Sequence, residues 1–330
     1  MFTGLVPGDI QRLLLLLAAS PRYRNLRIHG YQAVFDEAVP TQFAAMTFSW
    51  KRAFSFVGFR GTDISATGWR ENFDMAYEDE VPSQRLAREY LERMMPRLSG
   101  AVHVGGHSKG GNLALYAALT CHEDVRERIE LVWCLDAPGF RAGRFGTEAY
   151  AHLGWHADAG GAGAGDAAAA GAGVQGACKI ERFVPQDSIV GMLLECPVQP
   201  RVVRSSAQGA MQHSLFSWEI AEDRDDFVTV EHLGEGSQAL HDILAEWLAG
   251  MDEGRCAQVV DALFAALGAS GARDARDVFL GGKPFPQLVS DAMRNLDEGS
   301  RSVLGAVLGE LAAITARRVG RDLAAAVFGG

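Results

Sequence analysis

The hydrophobic positions of this chain fall into short blocks separated by polar and glycine-rich breaks. Gln42 to Trp50 and Ala53 to Phe59 are two β-prone apolar runs joined by Lys51-Arg52, the pattern of a hairpin or adjacent strand pair. Ala101–Gly105, Leu131–Leu135, Lys179–Val184 and Arg201–Val203 are short apolar runs that read as buried strands. Between them, Pro82–Met95 carries Leu86, Tyr90, Leu91 and Met94 at helical spacing, and Asn112–Thr120 continues as an apolar helix. Short apolar strands alternating with helices predict an α/β fold, a mostly parallel sheet with helices on both faces.

Three regions stand outside that alternation. At the N-terminus, Leu13 to Leu17 is a run of five leucines that stops at Ala19, too short to span a bilayer. Asp9, where a secretory signal would carry basic residues, reads as the N-cap of a buried helix from about Ile10 to Ala19, stopped by Pro21. Ala157 to Ala177 holds ten Ala and seven Gly, so it offers no side chains for a packed face and predicts a mobile loop. From Ser237 onward the pattern is wholly helical, with candidates at 237–248, 255–267, 286–296 and 300–327. The expected organisation is therefore an α/β domain over 1–236, with 157–177 as an insertion, and a helical extension over 237–330.

Composition narrows the partners. The net charge of −10 argues against nucleic acid or an anionic membrane surface as the main partner. Five scattered cysteines without a Cys-x-x-Cys pair read as reduced thiols, and the expected compartment is the cytoplasm.

The chemistry gathers where Ala101–Gly105 meets the following helix. Gly106-His107-Ser108-Lys109-Gly110 is Gly-x-Ser-x-Gly between a strand pattern and a helix pattern, the signature of a nucleophile elbow. The serine sits on a sharp turn, and the helix N-terminus beneath it offers unpaired N–H groups where an oxyanion forms. The first oxyanion donor is expected to be the Lys109 N–H. The second is expected from an earlier strand end, where Gly61-Thr62 lets the backbone approach and Thr62 offers an N–H and a hydroxyl. The Lys109 side chain is a puzzle, because a cation in the first turn opposes the helix dipole. It is either solvated or answers a nearby carboxylate or an anionic substrate. His107 reads as a packing residue.

A serine nucleophile needs a base, and the base an orienting carboxylate. His213, in the loop after Arg201–Val203, is where a hydrolase base belongs. Two acids end strands: Asp136 after Leu131–Leu135, and Asp187 after Lys179–Val184. In this chain order the acid usually comes from a later strand than the one right after the elbow helix, which favours Asp187. Asp136 is left to cap the Pro138-Gly139 turn.

These residues also carry a resemblance. Phe59-Arg60-Gly61-Thr62 before Gly-His-Ser-Lys-Gly-Gly-Asn-Leu-Ala is similar to the class 3 lipase-type α/β-hydrolases, and more closely to their bacterial Mbeg-like branch. The likeness runs from about Asp9 to Trp218. It takes in Gly68-Trp69-Arg70-Glu71-Asn72-Phe73, Asp136-Ala137-Pro138-Gly139-Phe140, Val184-Pro185-Gln186-Asp187-Ser188 and Gln212-His213-Ser214. It implies an α/β-hydrolase fold, Ser108, Asp187 and His213 as triad, and Thr62 as oxyanion residue. The Ala/Gly insertion and the helical tail fall outside the resemblance, and Lys109 stands where true lipases more often have an apolar residue.

The expected function is a serine hydrolase cleaving a carboxylic ester of the lipase or esterase type, with no metal or organic cofactor. An acyltransferase on the same triad and a non-enzymatic interaction protein are the rivals. Ala151–Trp155 with the Ala/Gly tract is a candidate flap. Val303, Leu304, Val307, Leu308, Leu311 and Ile314 give the last helix an apolar face that needs a partner: the hydrolase core, the pocket, or a second copy in a homo-oligomer.

Overall fold

A computed structural model describes residues 7–63, 65–157, 178–222, 226–269, 294 and 296–328. Its eight strands lie in one sheet in the order in which they occur in the chain: β1 Arg27–Asp36, β2 Thr41–Trp50, β3 Phe54–Phe59, β4 Ala101–His107, β5 Ile129–Leu135, β6 Ile180–Pro185, β7 Arg201–Val203 and β8 Thr229–Val230. The central strands β3 to β7 are parallel, while β1–β2, β2–β3 and β7–β8 are antiparallel. The expected hairpin is thus β2–β3. β1 went unread in the sequence because its polar and apolar positions do not alternate, and its register shifts between His29 and Gln32.

The helices among the described residues begin with α1 Pro7–Ala19, α2 Ala66–Asp74, α3 Pro82–Met94, α4 Lys109–Thr120, α5 Glu123–Glu127 and α6 Thr147–Ala151. Three longer ones follow: α7 Glu235–Ala249, α8 Glu253–Ala269 and α9 Glu298–Phe328. The expected helix 286–296 lies outside the described residues apart from Arg294 and Leu296, and so does the Ala/Gly tract from residue 158.

Period-two alternation along the strands sorts the side chains onto two faces. Phe43, Val57, Val102, Val104, Val132 and Ile180 lie buried with Tyr90 and Leu91 of α3 and Leu113, Tyr116 and Ala117 of α4 in the main core. Parallel neighbours in chain order need right-handed crossovers, which carries α3 and α4 to the same side. A smaller cluster of Phe183, Val203 and Trp218 sits on the other face, where Phe183 stacks on Trp133 with centroids 6.1 Å apart.

Two local expectations change. α1 starts at Pro7, two residues before Asp9, and Leu13 to Leu16 are exposed, because this helix lays no face on the sheet. Ala151–Trp155 is no flap: Tyr150, Leu153 and Trp155 are buried in the core, and Tyr150 meets Trp155 edge-on. The apolar stripe of α9 packs on α7 and α8, with Val307 and Ile314 buried. Arg318–Asp242 and Arg317–Glu246 tie α9 to α7, and Arg255–Glu310 ties it to α8. No helix among the described residues is long and apolar enough to cross a membrane. The five cysteines are free thiols.

Candidate active site

The elbow is built where β4 ends and α4 begins. Ser108 stands between them at φ 58° and ψ −133°, a conformation an L side chain adopts only when its surroundings impose it. What imposes it is crowding. A Cβ on Gly106 would lie 2.4 Å from the Gly110 carbonyl carbon, and one on Gly110 would lie 2.2 Å from the Phe59 oxygen. The two glycines of the motif therefore let α4 start directly against β3 and β4. The Ser108 N–H donates to the Leu135 carbonyl at 2.9 Å, fixing the turn against β5. With α4 starting at Lys109, the N–H groups of its first turn have no carbonyl four residues back.

His213 comes to this turn from the far side of the sheet. A 3-10 turn, Gly209–His213, follows β7 and buries the imidazole. The His107 Nε2–H donates to the His213 carbonyl at 2.7 Å, and the two rings lie 4.3 Å apart. His107 is thus a packing residue that also anchors the backbone of His213 one position from Ser108. Burial, and then the adjacent His213, pushes His107 down to about 4. It is therefore neutral near pH 7, and donation to a carbonyl places its one ring proton on Nε2.

The carboxylate facing His213 is Asp136, which corrects the preference for Asp187. Asp136 Oδ2 lies 2.5 Å from His213 Nδ1. Its Oδ1 accepts the Ser188 hydroxyl at 2.5 Å and the Gly191 N–H at 3.0 Å. Asp136 is fully buried and sits at φ 43°, directly after β5. It does not cap the Pro138-Gly139 turn. Asp187 is turned instead to Gln212: the Gln212 amide donates to Asp187 Oδ2 at 2.8 Å, and the Asp187 N–H donates to Gln212 Oε1 at 2.9 Å. Gln212 and His213 are consecutive, so one acid holds each, and the strand-end rule could not say which.

On the opposite side stands the Gly61-Thr62 loop. A Cβ on Gly61 would lie 2.6 Å from the His107 oxygen and 3.3 Å from Ser108 Cβ, so this glycine lets the loop close on the elbow. The Thr62 hydroxyl donates to Asn72 Oδ1 at 2.9 Å, which leaves its N–H as the group to offer. Asn72 lies on α2, a helix absent from the sequence expectations. Ser65 caps it by accepting the Gly68 N–H at 3.1 Å.

The Lys109 side chain is not solvated. Its ammonium is fully buried, 2.8 Å from Glu71 Oε2 and 2.7 Å from the Gln42 carbonyl it donates to. The Glu71 carboxylate is itself surrounded by donors: the Gln42 N–H, the Ser83 N–H and the Ser83 hydroxyl. Burial pushes the Lys109 ammonium down, and Glu71 opposes that. Glu71 lies in the Gly-Trp-Arg-Glu-Asn-Phe stretch that carries the family resemblance, but nothing in the sequence aims it at Lys109. Among the described residues, no group of His, Cys, Asp and Glu could hold a metal ion.

A mostly parallel sheet with a strained serine on a strand–helix turn defines an α/β-hydrolase fold. Within that class, the chain belongs to the Mbeg1-like family, whose profile matches residues 17–159 and 161–265. No curated protein matches it. Among solved structures it is similar to the crystal structure of M37 lipase, with 13% identity, a TM-score of 0.37 and coverage of 58% of this chain and 64% of that one. A fungal lipase–inhibitor complex gives 16% identity, a TM-score of 0.34 and coverage of 55% of this chain and 66% of that one. The chain therefore spans about two thirds of the length of each of these lipases.

Proposed function

We propose that this protein is a serine hydrolase of carboxylic esters, with Ser108 as nucleophile, His213 as general base and Asp136 as the acid that orients it. The observation that carries the reading is the pairing of a strained Ser108 on a helix N-terminus with a buried histidine–carboxylate pair anchored at the neighbouring residue.

In this reading His213 takes the Ser108 proton as the hydroxyl attacks an ester carbonyl. Asp136 holds Nδ1 protonated and so leaves Nε2 to act as base. The N–H groups of Lys109 and Thr62 receive the developing oxyanion, which a preformed pair of dipoles stabilises without reorganising. His213 then protonates the departing alkoxide, and in the second half takes a proton from the water that releases the acyl group. Every step is served by side chains and backbone of this chain, with no metal or organic cofactor.

The test is labelling of the native protein with a fluorophosphonate, located by peptide mass spectrometry, together with turnover of p-nitrophenyl esters from short to long chain. Labelling at Ser108 and ester turnover, both lost in Ser108→Ala, are expected. A native protein that takes no label at Ser108 sinks the proposal.

A further inference from the structure

The chemistry above leaves the C-terminal helices without a role, yet α7 and α8 stand directly behind the two halves of the site. On the acid side, the buried Ser237 of α7 donates its hydroxyl to the Ser188 carbonyl. Gly234, which caps α7, donates its N–H to the Gln186 carbonyl at 2.8 Å. His241 Nδ1 meets the Met192 carbonyl at 2.5 Å. These three contacts straddle residues 186–192, the loop whose Ser188 hydroxyl and Gly191 N–H hold Asp136.

On the oxyanion side, α8 docks on α2. Asp261 pairs with Arg70 at 2.6 Å, and Phe264 packs on Phe73 with ring centroids 5.8 Å apart, beneath the Arg70 guanidinium. Positions 70 and 73 share one side of a helix, and the intervening 71 and 72 point to the other. Those two are Glu71 and Asn72, the partners of Lys109 and Thr62. One helix face thus takes the extension and the opposite face takes both proposed oxyanion residues.

We propose that α7 and α8 are positioning elements of the site, α7 acting through Ser188 on Asp136 and α8 acting through α2 on Lys109 and Thr62. The proposal rests on the hydrolase reading. Helices that only covered apolar surface have no use for a buried hydroxyl on the carbonyl of the residue that holds the acid. The reacting groups tolerate little displacement, since a shift of about 1 Å costs ~100-fold in rate.

The experiment compares full-length Ser237→Ala, Ser237→Thr, Phe264→Ala and Asp261→Asn with wild type. It reads kcat and KM on a p-nitrophenyl ester and the rate of fluorophosphonate labelling, each well below that variant's own thermal midpoint. Ser237→Ala and Phe264→Ala are expected to lose about tenfold in kcat and in labelling rate, with KM changed less than about twofold. Ser237→Thr, which keeps a hydroxyl, is expected to recover most of the loss. Asp261 is exposed, so Asp261→Asn supplies a well-folded comparison with a loss of about threefold. Lower midpoints with unchanged kcat and labelling overturn the proposal and leave the helices a purely structural part. A wild type that is neither labelled nor active overturns the hydrolase reading and this proposal together; a reactive wild type with equally reactive variants overturns this proposal alone.

Discussion

His213 Nδ1 and Asp136 Oδ2 lie 2.5 Å apart with both side chains buried, while Asp187, one strand further along the sheet, is clasped by Gln212. The two acids therefore predict different losses. Asp136→Asn removes the carboxylate that fixes the imidazole tautomer, a change that costs ~10⁴-fold in kcat where such a dyad is catalytic. Asp187→Asn disturbs only the neighbour of His213 and is expected to cost less than about tenfold. Ester turnover of the two variants decides it, and equal losses would return Asp187 to candidacy.

Backbone strain at Ser108 makes a prediction about stability. A non-glycine residue held in such a conformation stores about 1–3 kcal/mol. Ser108→Gly is therefore expected to abolish labelling while raising the free energy of unfolding by about 1 kcal/mol in urea titration, offset in part by the glycine's greater freedom when unfolded. A destabilised Ser108→Gly would contradict the strained turn.

The buried pair Lys109–Glu71 predicts asymmetric variants. Glu71→Gln leaves an ammonium buried without its counter-charge, which costs about 3–5 kcal/mol. Lys109→Met leaves a carboxylate that still accepts from Gln42 and Ser83, so its loss is expected to be smaller, about 1–3 kcal/mol. The double variant is expected to be more stable than Glu71→Gln alone. Chemical denaturation of the three gives the coupling, and strictly additive losses would mean that the two charges do not interact.

His107 sets a pH dependence. An imidazole in the unfolded chain takes a proton near pH ~6.5, whereas burial beside His213 pushes His107 in the folded chain down to about 4. Between those values the unfolded chain holds a proton that the folded chain lacks. This contribution is fully present above pH ~6.5 and is lost as the pH falls toward 4, at up to about 1.4 kcal/mol per pH unit. His107→Gln, whose amide can donate to the same carbonyl, is expected to flatten the fall in stability between pH 6.5 and 4.5. A slope unchanged from wild type would assign the acid sensitivity to other groups.

Legibility differed from element to element for physical reasons. The apolar runs of β3 to β7 could be read because buried parallel strands need nearly continuous apolar residues, and antiparallel β2 could be read because its first five residues are buried. β1, with one face exposed and an irregular register, gave no such run. α2 escaped because its buried residues, Gly68, Glu71 and Asp74, are polar or small, so it has no apolar stripe to find. Its burial is meaningful only once Lys109, Ser83 and Gln42 surround Glu71.

By itself the sequence determined the elbow and the alternation around it, because the glycines at 106 and 110 and the apolar blocks answer to local sterics and periodicity. It also placed a histidine after β7 and an acid at each of two strand ends. Only the tertiary structure decided which acid meets His213, which carboxylate neutralises Lys109, and that the C-terminal helices back onto both sides of the site. Those are pairings across 77, 38 and 49 positions of chain. Over such separations, what brings two side chains together is the order of strands in the sheet and the packing of helices on it, and no local pattern encodes that distance.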